Sequence, residues 1–461
     1  MPPRRELQAF AAVLAALLAG FFSESLFGGK VLSPADVLLA SVTFGGQSGP
    51  GHEPSNRLLI DPVLQFQPWL EFNRAMLRRG RLPLWNDLAG CGAPHLANGQ
   101  SAVFDPFHAI AYLGRLPDAY AWMAAARLWV AGLGMFLLAR SWRFGGWGRW
   151  FAGLTWPFCG FLVVWLLYPV TSAAIWMPWL LLASERLLVR PSVRSASALA
   201  LCVGLVLLGG HIQTGAHVLL AAGVYALWRW QPGRMRSRWE GEAPAEPRLA
   251  PEARQEPRPS GSPPESGREA GHWVSPQMPR GALAGWAGGV LLGVVIGAIA
   301  VVPLGFYLAR SPVWADRSEA RRPAWQLGRP RLLDAVCTAF PYAFGSQRRG
   351  HPNLARALGV HNLNESAGGF AGLATLIWLA HAAWSARRSQ PRVRFLVGLA
   401  GFGAMAAFGL PPVDNLLRAL PVLNVTDNRR LTLWLAFGLV MLGGVGIDHL
   451  DTVRLRRGWK P

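Results

Sequence analysis

The chain has 461 residues, of which 52% are hydrophobic and only 15% charged, against roughly 25% charged residues in a soluble domain. Its net charge of +20 comes from 45 Lys and Arg against 25 Asp and Glu. The basic residues sit between apolar runs, as in a membrane protein, and no zinc-finger spacing or RNA-binding motif accompanies them. An ordinary soluble enzyme, a mainly disordered chain, a nucleic-acid-binding protein and an outer-membrane barrel are all excluded, the last because its strands alternate apolar and polar residues over shorter lengths.

Arg4 and Arg5 precede the first apolar run, Leu7–Phe27, which has the ~20 residues needed to cross ~30 Å of hydrocarbon as a helix. The run is longer than a signal-peptide core and no small-x-small cleavage site follows it at once, so it reads as an uncleaved first span with a cytoplasmic N-terminus. A long loop covers 29–118. Further spans are predicted near 119–140, 150–168, 171–189, 196–210, 215–230, 282–308, 367–385, 394–410 and 431–449, making about ten helices in all. The 52 glycines suit close helix packing in lipid, and the 22 tryptophans suit the membrane interface.

Charge orients this bundle. Arg140, Arg143 and Arg149 share one short loop, Arg186, Arg190 and Arg194 another, and Arg387, Arg388, Arg392 and Arg394 a third. Arg454, Arg456, Arg457 and Lys460 close the chain. Counting crossings puts all of these inside with both termini, whereas the short loops at Pro169, His211 and Pro411 fall outside and hold few basic residues. The expectation is an all-α, polytopic transmembrane helical bundle in the inner membrane. Its two larger outer loops, 29–118 and 309–366, contain short interfacial helices. The organisation is an N-terminal half (1–230), a Pro/Glu/Arg-rich segment (231–281) and a C-terminal half (282–461). The middle segment repeats Glu246-Pro247-Arg248 as Glu256-Pro257-Arg258 and has few large apolar residues, so it reads as a disordered cytoplasmic linker.

Polar residues concentrate on the outer side. Asp61, before Pro62, has the pattern of a helix start, and Gln65 shares its face four residues on. Capping is one reading of Asp61; a reacting carboxylate is the other. Asn86, Asn98 and Gln100 lie in turn-rich stretches of the same loop, and Asp105 before Pro106 reads as a cap. Arg127 is a charge inside an apolar run, which needs a partner or a cavity. His211 marks an outer turn, Glu365 the mouth of a span, and Arg429 and Arg430 the start of the last span. Cys159 and Cys202 read as packing residues; Cys91 and Cys337 lie in outer loops, and whether they pair is open. Because the midplane looks mostly dry, a site at the outer surface fits better than a transport route.

These segments resemble the YfhO family of bacterial membrane proteins, within the GT-C class of lipid-linked-sugar glycosyltransferases. The resemblance is carried by Leu58-Leu59-Ile60-Asp61 with Gln65-Phe66-Gln67-Pro68-Trp69, and by Gly80-Arg81-Leu82-Pro83-Leu84-Trp85-Asn86. Gly92-Ala93-Pro94 and Ala97-Asn98-Gly99-Gln100-Ser101 continue it. Later come Trp176-Met177-Pro178, Gly209-Gly210-His211, Asn362-Leu363-Asn364-Glu365, and Asn424 with Arg429-Arg430. Many YfhO-like chains are longer, with further helices and an outer soluble domain. The resemblance implies transfer of a sugar from a polyprenyl phosphate to an envelope glycan, lipid or protein. It makes Asp61 the general base, with Asp36 a second acid. Gln65, Asn86, Asn98, Gln100, Arg127, His211, Glu365, Arg429 and Arg430 become substrate-binding candidates. Some enzymes of this class use a divalent metal and others do not; no paired-acid motif here selects one, and no metal ligand is assigned. The alternatives are a lipid-carrier flippase or transporter, for which Arg127, His211 and Glu185 would line one cavity, and a non-catalytic envelope assembly protein.

Overall fold

The structure is a computed structural model that describes residues 3–40, 54–230, 278–279, 281–312, 316, 331–346, 348, 353–355, 357–358, 360, 363–377, 391–420, 423–424 and 426–456. The expectation of a disordered linker therefore falls almost entirely outside the described residues, as do Asn362, Arg387, Arg388, Arg457 and Lys460.

The described chain is predominantly helical. Five helical stretches are long and apolar enough to cross a membrane: Leu116–Ser141, Pro169–Val189, Ala282–Ala309, Pro391–Phe408 and Asn428–His449. Each overlaps an expected span. Pro3–Phe21 and Ile212–Trp230, with 19 residues apiece, have a spanning length but carry more polar residues. Val193–Leu208 is shorter, at 16 residues. Residues 150–168 depart from expectation, because they do not form one helix. Gly146–Thr155 ends at a tight turn through Trp156–Phe158, and a short helix, Gly160–Val164, follows. Pro157 supplies no backbone donor for a continuing helix. Gly160 lies so close to the 367–370 turn that its N–H donates to the Phe370 carbonyl at 2.6 Å. The span expected near 367–385 is described only through residue 377.

Lipid provides no hydrophobic drive for helix association, so close packing and polar contacts hold the bundle. Gly289, Gly293 and Gly297 let the Ala282–Ala309 helix meet Leu199, Val203 and Leu207 of Val193–Leu208; a Cβ at Gly297 would come 2.7 Å from Leu207 Cβ. The rest of Ala282–Ala309 is largely exposed, as a lipid-facing span would be. The core lies between Leu116–Ser141, Met177–Val189 and Thr432–Arg456, with Trp156, Phe136, Phe161 and Phe437 fully enclosed. At one end Arg149 grips Glu6 through two nitrogens, at 2.7 and 2.8 Å. Asp448 accepts from the Gly145 and Gly148 N–H groups, at 2.6 and 2.8 Å, where a helix start favours negative charge. At the same end Glu185 meets Arg229 and Arg392, each at 3.1 Å, and accepts from the Tyr225 hydroxyl.

The first long loop folds back on the opposite end of the bundle. It contains the helices Gln67–Arg78 and His108–Leu113 and a two-stranded ribbon that pairs Trp85–Asn86 with Ala93–Pro94. A buried chain of hydrogen bonds fixes it. Asn73 donates to the Ser101 carbonyl at 2.8 Å, so its Oδ1 is left as the acceptor for His95 Nε2 at 2.7 Å. Ser101 Oγ returns a bond to the His95 carbonyl at 3.0 Å. Burial pushes His95 down to about 4, which keeps the ring neutral in this role. None of the four cysteines is in a disulfide; Cys91 is exposed and Cys337 buried.

Candidate functional site

The first loop and the Leu166–Pro169 turn enclose a cleft of about 540 Å³, counting its open mouth. Gln67, Gln100, Ser101, Tyr120, Arg127 and Tyr168 line it beside Phe66, Leu70, Met123 and Leu166. The lining thus mixes polar and apolar side chains, a surface suited to an amphiphile.

Asp61 does not itself line this cleft, but it adjoins the lining residue Pro62 and its charge acts on the lining residue Tyr168. It does not cap. Its own backbone is already helical, its side chain makes no capping bond, and a single π-type turn, Pro62–Phe66, follows. The capping expectation is therefore corrected: Asp61 lies inside the helical path, where a side chain does not reach back over the first amides. Gln65 Nε2 donates to its Oδ1 at 3.1 Å, so the predicted shared face is real. No cation lies within ion-pair distance of Asp61 among the described residues. Burial raises its carboxyl above the ordinary aspartate value. Tyr168, whose hydroxyl donates to the Leu58 carbonyl at 3.0 Å, is held in its neutral phenol form first by burial and then by the Asp61 charge.

Arg127 enters the cleft from the Leu116–Ser141 helix, braced from behind. Its Nη2 lies 3.0 Å from Asp105 Oδ2, and both side chains are almost fully buried. Asp105 Oδ1 accepts from the Phe107 N–H at 3.0 Å, an Asx turn ahead of the His108–Leu113 helix rather than its expected cap, which falls at Phe107 without a side-chain bond. Burial alone would raise Asp105, but Arg127, with His108, Ser172 and the Phe107 amide, outweighs it and holds the carboxyl below its usual value. His108, which also lines the cleft, is pushed down to about 4 by burial, against the opposing pull of Asp105.

A second polar cluster lies beyond the Trp165–Tyr168 turn. Arg430 stacks over Trp165, 5.0 Å from the ring centroid, and its Nη1 approaches His211 Nε2 at 2.6 Å. Gln213 joins the Asp427 carbonyl at 2.5 Å. Arg429 pairs with Asp427 and, at 2.8 Å, with Glu365. Burial first, then Asp427, raises Glu365 despite Arg429. Burial first pushes His211 down to about 3, with Arg430 adding to it. Trp165 packs edge-on against Tyr168, with centroids 5.0 Å apart, so one turn walls both places.

The candidate residues thus divide. Gln100 and Arg127 share the cleft; Asp61 and Gln65, hydrogen-bonded to each other, adjoin lining residues without lining it themselves. His211 and Arg430 are in contact, and Glu365 and Arg429 are paired, on the far side of the turn. Asn86 and Asn98 have the turn role their sequence context offers: their Oδ1 atoms accept from Leu88 N at 3.0 Å and Ser101 N at 2.7 Å. Asp36 accepts from Ser55 N at 2.6 Å. Gln67, Tyr120 and Tyr168 had not been singled out as site residues, although Gln67 stands inside the Gln65–Trp69 stretch. No group of three or more His, Cys, Asp or Glu is placed to hold a metal among the described residues.

Comparison with protein-family profiles, curated proteins and solved structures finds no match to this chain.

Proposed function

We propose that the protein is a GT-C-like membrane glycosyltransferase of the YfhO type. It moves a sugar from a polyprenyl phosphate to an envelope glycan, lipid or protein on the outer face of the inner membrane, with both termini cytoplasmic. One observation carries this reading: Asp61 is half-buried, neither capping nor ion-paired among the described residues, and adjoins Pro62 and influences Tyr168, both of which line a cleft of mixed polar and apolar residues that also holds Arg127.

In this reaction the acceptor oxygen attacks the anomeric carbon and its proton passes to Asp61. The bond from the anomeric carbon to the phosphate oxygen breaks with inversion, and the polyprenyl phosphate leaves as an anion. A carboxyl raised by burial is a stronger base than an exposed one, and base assistance contributes ~10²–10⁴-fold. Arg127 is the cation on the cleft wall that meets the departing phosphate. Arg429, already engaged by Asp427 and Glu365, is less suited to that role, and Arg430 lies behind Trp165. Gln67, Gln100 and Tyr168 offer groups for sugar hydroxyls.

A flippase reading asked Arg127, His211 and Glu185 to line one cavity. They occupy three separate surroundings, with Glu185 enclosed by Arg229, Arg392 and Tyr225. An assembly-protein reading expects Asp61 to be a cap, and its side chain makes no capping bond.

The test pairs wild type with Asp61→Asn, each given labelled polyprenyl-phosphate sugars and envelope extracts. Transfer by wild type and its loss in a normally folded Asp61→Asn protein is the expected result. Equal transfer by both removes Asp61 from the mechanism.

A further inference from the structure

The ribbon of the first loop carries a surface that neither the bundle nor the cleft uses. Leu82, Leu84, Trp85 and Leu88 are all exposed along it, and Leu113 stands exposed before the Leu116–Ser141 span. The solvent exposure of Leu88 and Leu113 exceeds 80%, an unusual state for leucines beside a folded ribbon. Trp85 is held in place by Gly92: its indole lies where a Cβ would stand, and Gly92 also has a φ of +106°. The Gln67–Arg78 helix and the turn after it add Arg78, Arg79 and Arg81, all exposed. None of the three has a carboxylate within ion-pair distance among the described residues.

The height of this surface relative to the spans is fixed from two sides. Arg74 Nη2 donates to the Gly114 carbonyl at 2.7 Å, which ties the end of the Gln67–Arg78 helix to the start of the Leu116–Ser141 span. On the other strand His95 N bonds the Leu84 carbonyl at 2.8 Å, and the Leu96–Asn98 turn that follows packs on the Ala282–Ala309 helix. There a Cβ at Gly99 would come 3.0 Å from Leu304 Cδ2. Leu304 lies near the end of that lipid-exposed span, beside exposed Phe306 and Tyr307. The ribbon therefore leaves the fold where two spans end, the level at which aromatic residues and arginines meet lipid headgroups.

We infer that the 82–95 ribbon, with Arg78, Arg79 and Arg81, is a docking surface for anionic lipid, dipping into the headgroup layer of the membrane that the chain spans. Its leucines and Trp85 bury apolar surface at the acyl boundary, and the arginines meet lipid phosphates. A protein partner is the less favoured occupant, because the turn after the ribbon packs on the end of Ala282–Ala309, a span whose apolar residues are largely exposed.

The test uses the full chain with Leu88→Cys in a Cys91→Ser, Cys202→Ser background, since Cys159 and Cys337 are buried. An environment-sensitive fluorophore at position 88 is read in vesicles of phosphatidylcholine or of an equal mixture with phosphatidylglycerol. The expected result is a blue-shifted emission quenched by lipid-borne bromine, with both effects larger in the mixture. Arg78→Gln, Arg79→Gln and Arg81→Gln together should abolish the added effect of phosphatidylglycerol. A fluorophore quenched only by aqueous iodide in both vesicles overturns the inference and leaves the surface to a protein. Lipid quenching that is equal in the two vesicles overturns the anionic-lipid assignment.

Discussion

Asp105→Ala tests how the cleft holds its cation. The Asp105 and Arg127 side chains are 1% and 6% exposed and 3.0 Å apart. Removing the carboxylate leaves a guanidinium buried without that partner, which costs ~3–5 kcal/mol. That is a large part of the ~5–15 kcal/mol that holds a typical protein folded. Replacing both charges, as in Asp105→Leu with Arg127→Met, removes the uncompensated charge and should recover most of the loss. Cys159, fully buried, reports unfolding through its reaction with a thiol reagent in a Cys91→Ser, Cys202→Ser, Cys337→Ser background. Because the folded Asp105 carboxyl lies below its ordinary value of ~3.9, the pair contributes fully above that pH and the contribution is lost as pH falls through the folded value. The gap between wild type and Asp105→Ala should therefore hold from neutral pH down to the ordinary aspartate range and close below it. Equal destabilisation by the single and double variants would refute the reasoning.

The rate of transfer should rise with pH through the raised Asp61 value, so its acid limb should lie above the ordinary aspartate value of ~3.9; a limb at or below that value would separate Asp61 from the base. Glu185→Ala strips the carboxylate from Arg229 and Arg392 and should cost ~3–5 kcal/mol in the Cys159 assay, with Glu185→Gln, which keeps a hydrogen-bonding oxygen, costing less. Gly297→Ile forces a side chain against Leu207 and should cost ~1–3 kcal/mol, whereas Gly288→Ala, with nothing near its Cβ position, should be close to neutral.

Length and hydropathy were enough to find the five apolar spans, because a membrane solvent imposes one requirement on every exposed residue of a helix. They failed at 150–168, where the composition suits a span but Pro157 and the close approach of Gly160 to the 367–370 turn break the path. Asp61 before Pro62 carries a cap signature, yet helical backbone begins before Asp61, a tertiary outcome that local pattern does not encode. Arg127 and Asp105 each stood out alone, the first as a charge in an apolar run and the second as a cap. Their pairing depends on how the first loop folds over the bundle, which no spacing of 22 residues announces. Tyr168 had only a signal of position, before Pro169 at the start of a span; its place in the cleft comes from the turn that Trp165 anchors under Arg430. Glu185 lies in an expected span and Arg392 in a basic loop 207 residues on, and only the packing of three helices brings them together.

The central claim is that the cleft beside Asp61 holds the lipid-linked sugar. A photoreactive residue in place of Leu167, on the cleft wall, tests it with a radiolabelled polyprenyl-phosphate sugar, using a photoreactive residue in place of the exposed Val163 as reference. The account predicts strong capture at 167, displaced by unlabelled donor and weakened by Arg127→Gln, with little at 163. Equal capture at the two positions, undiminished by competitor, would contradict it.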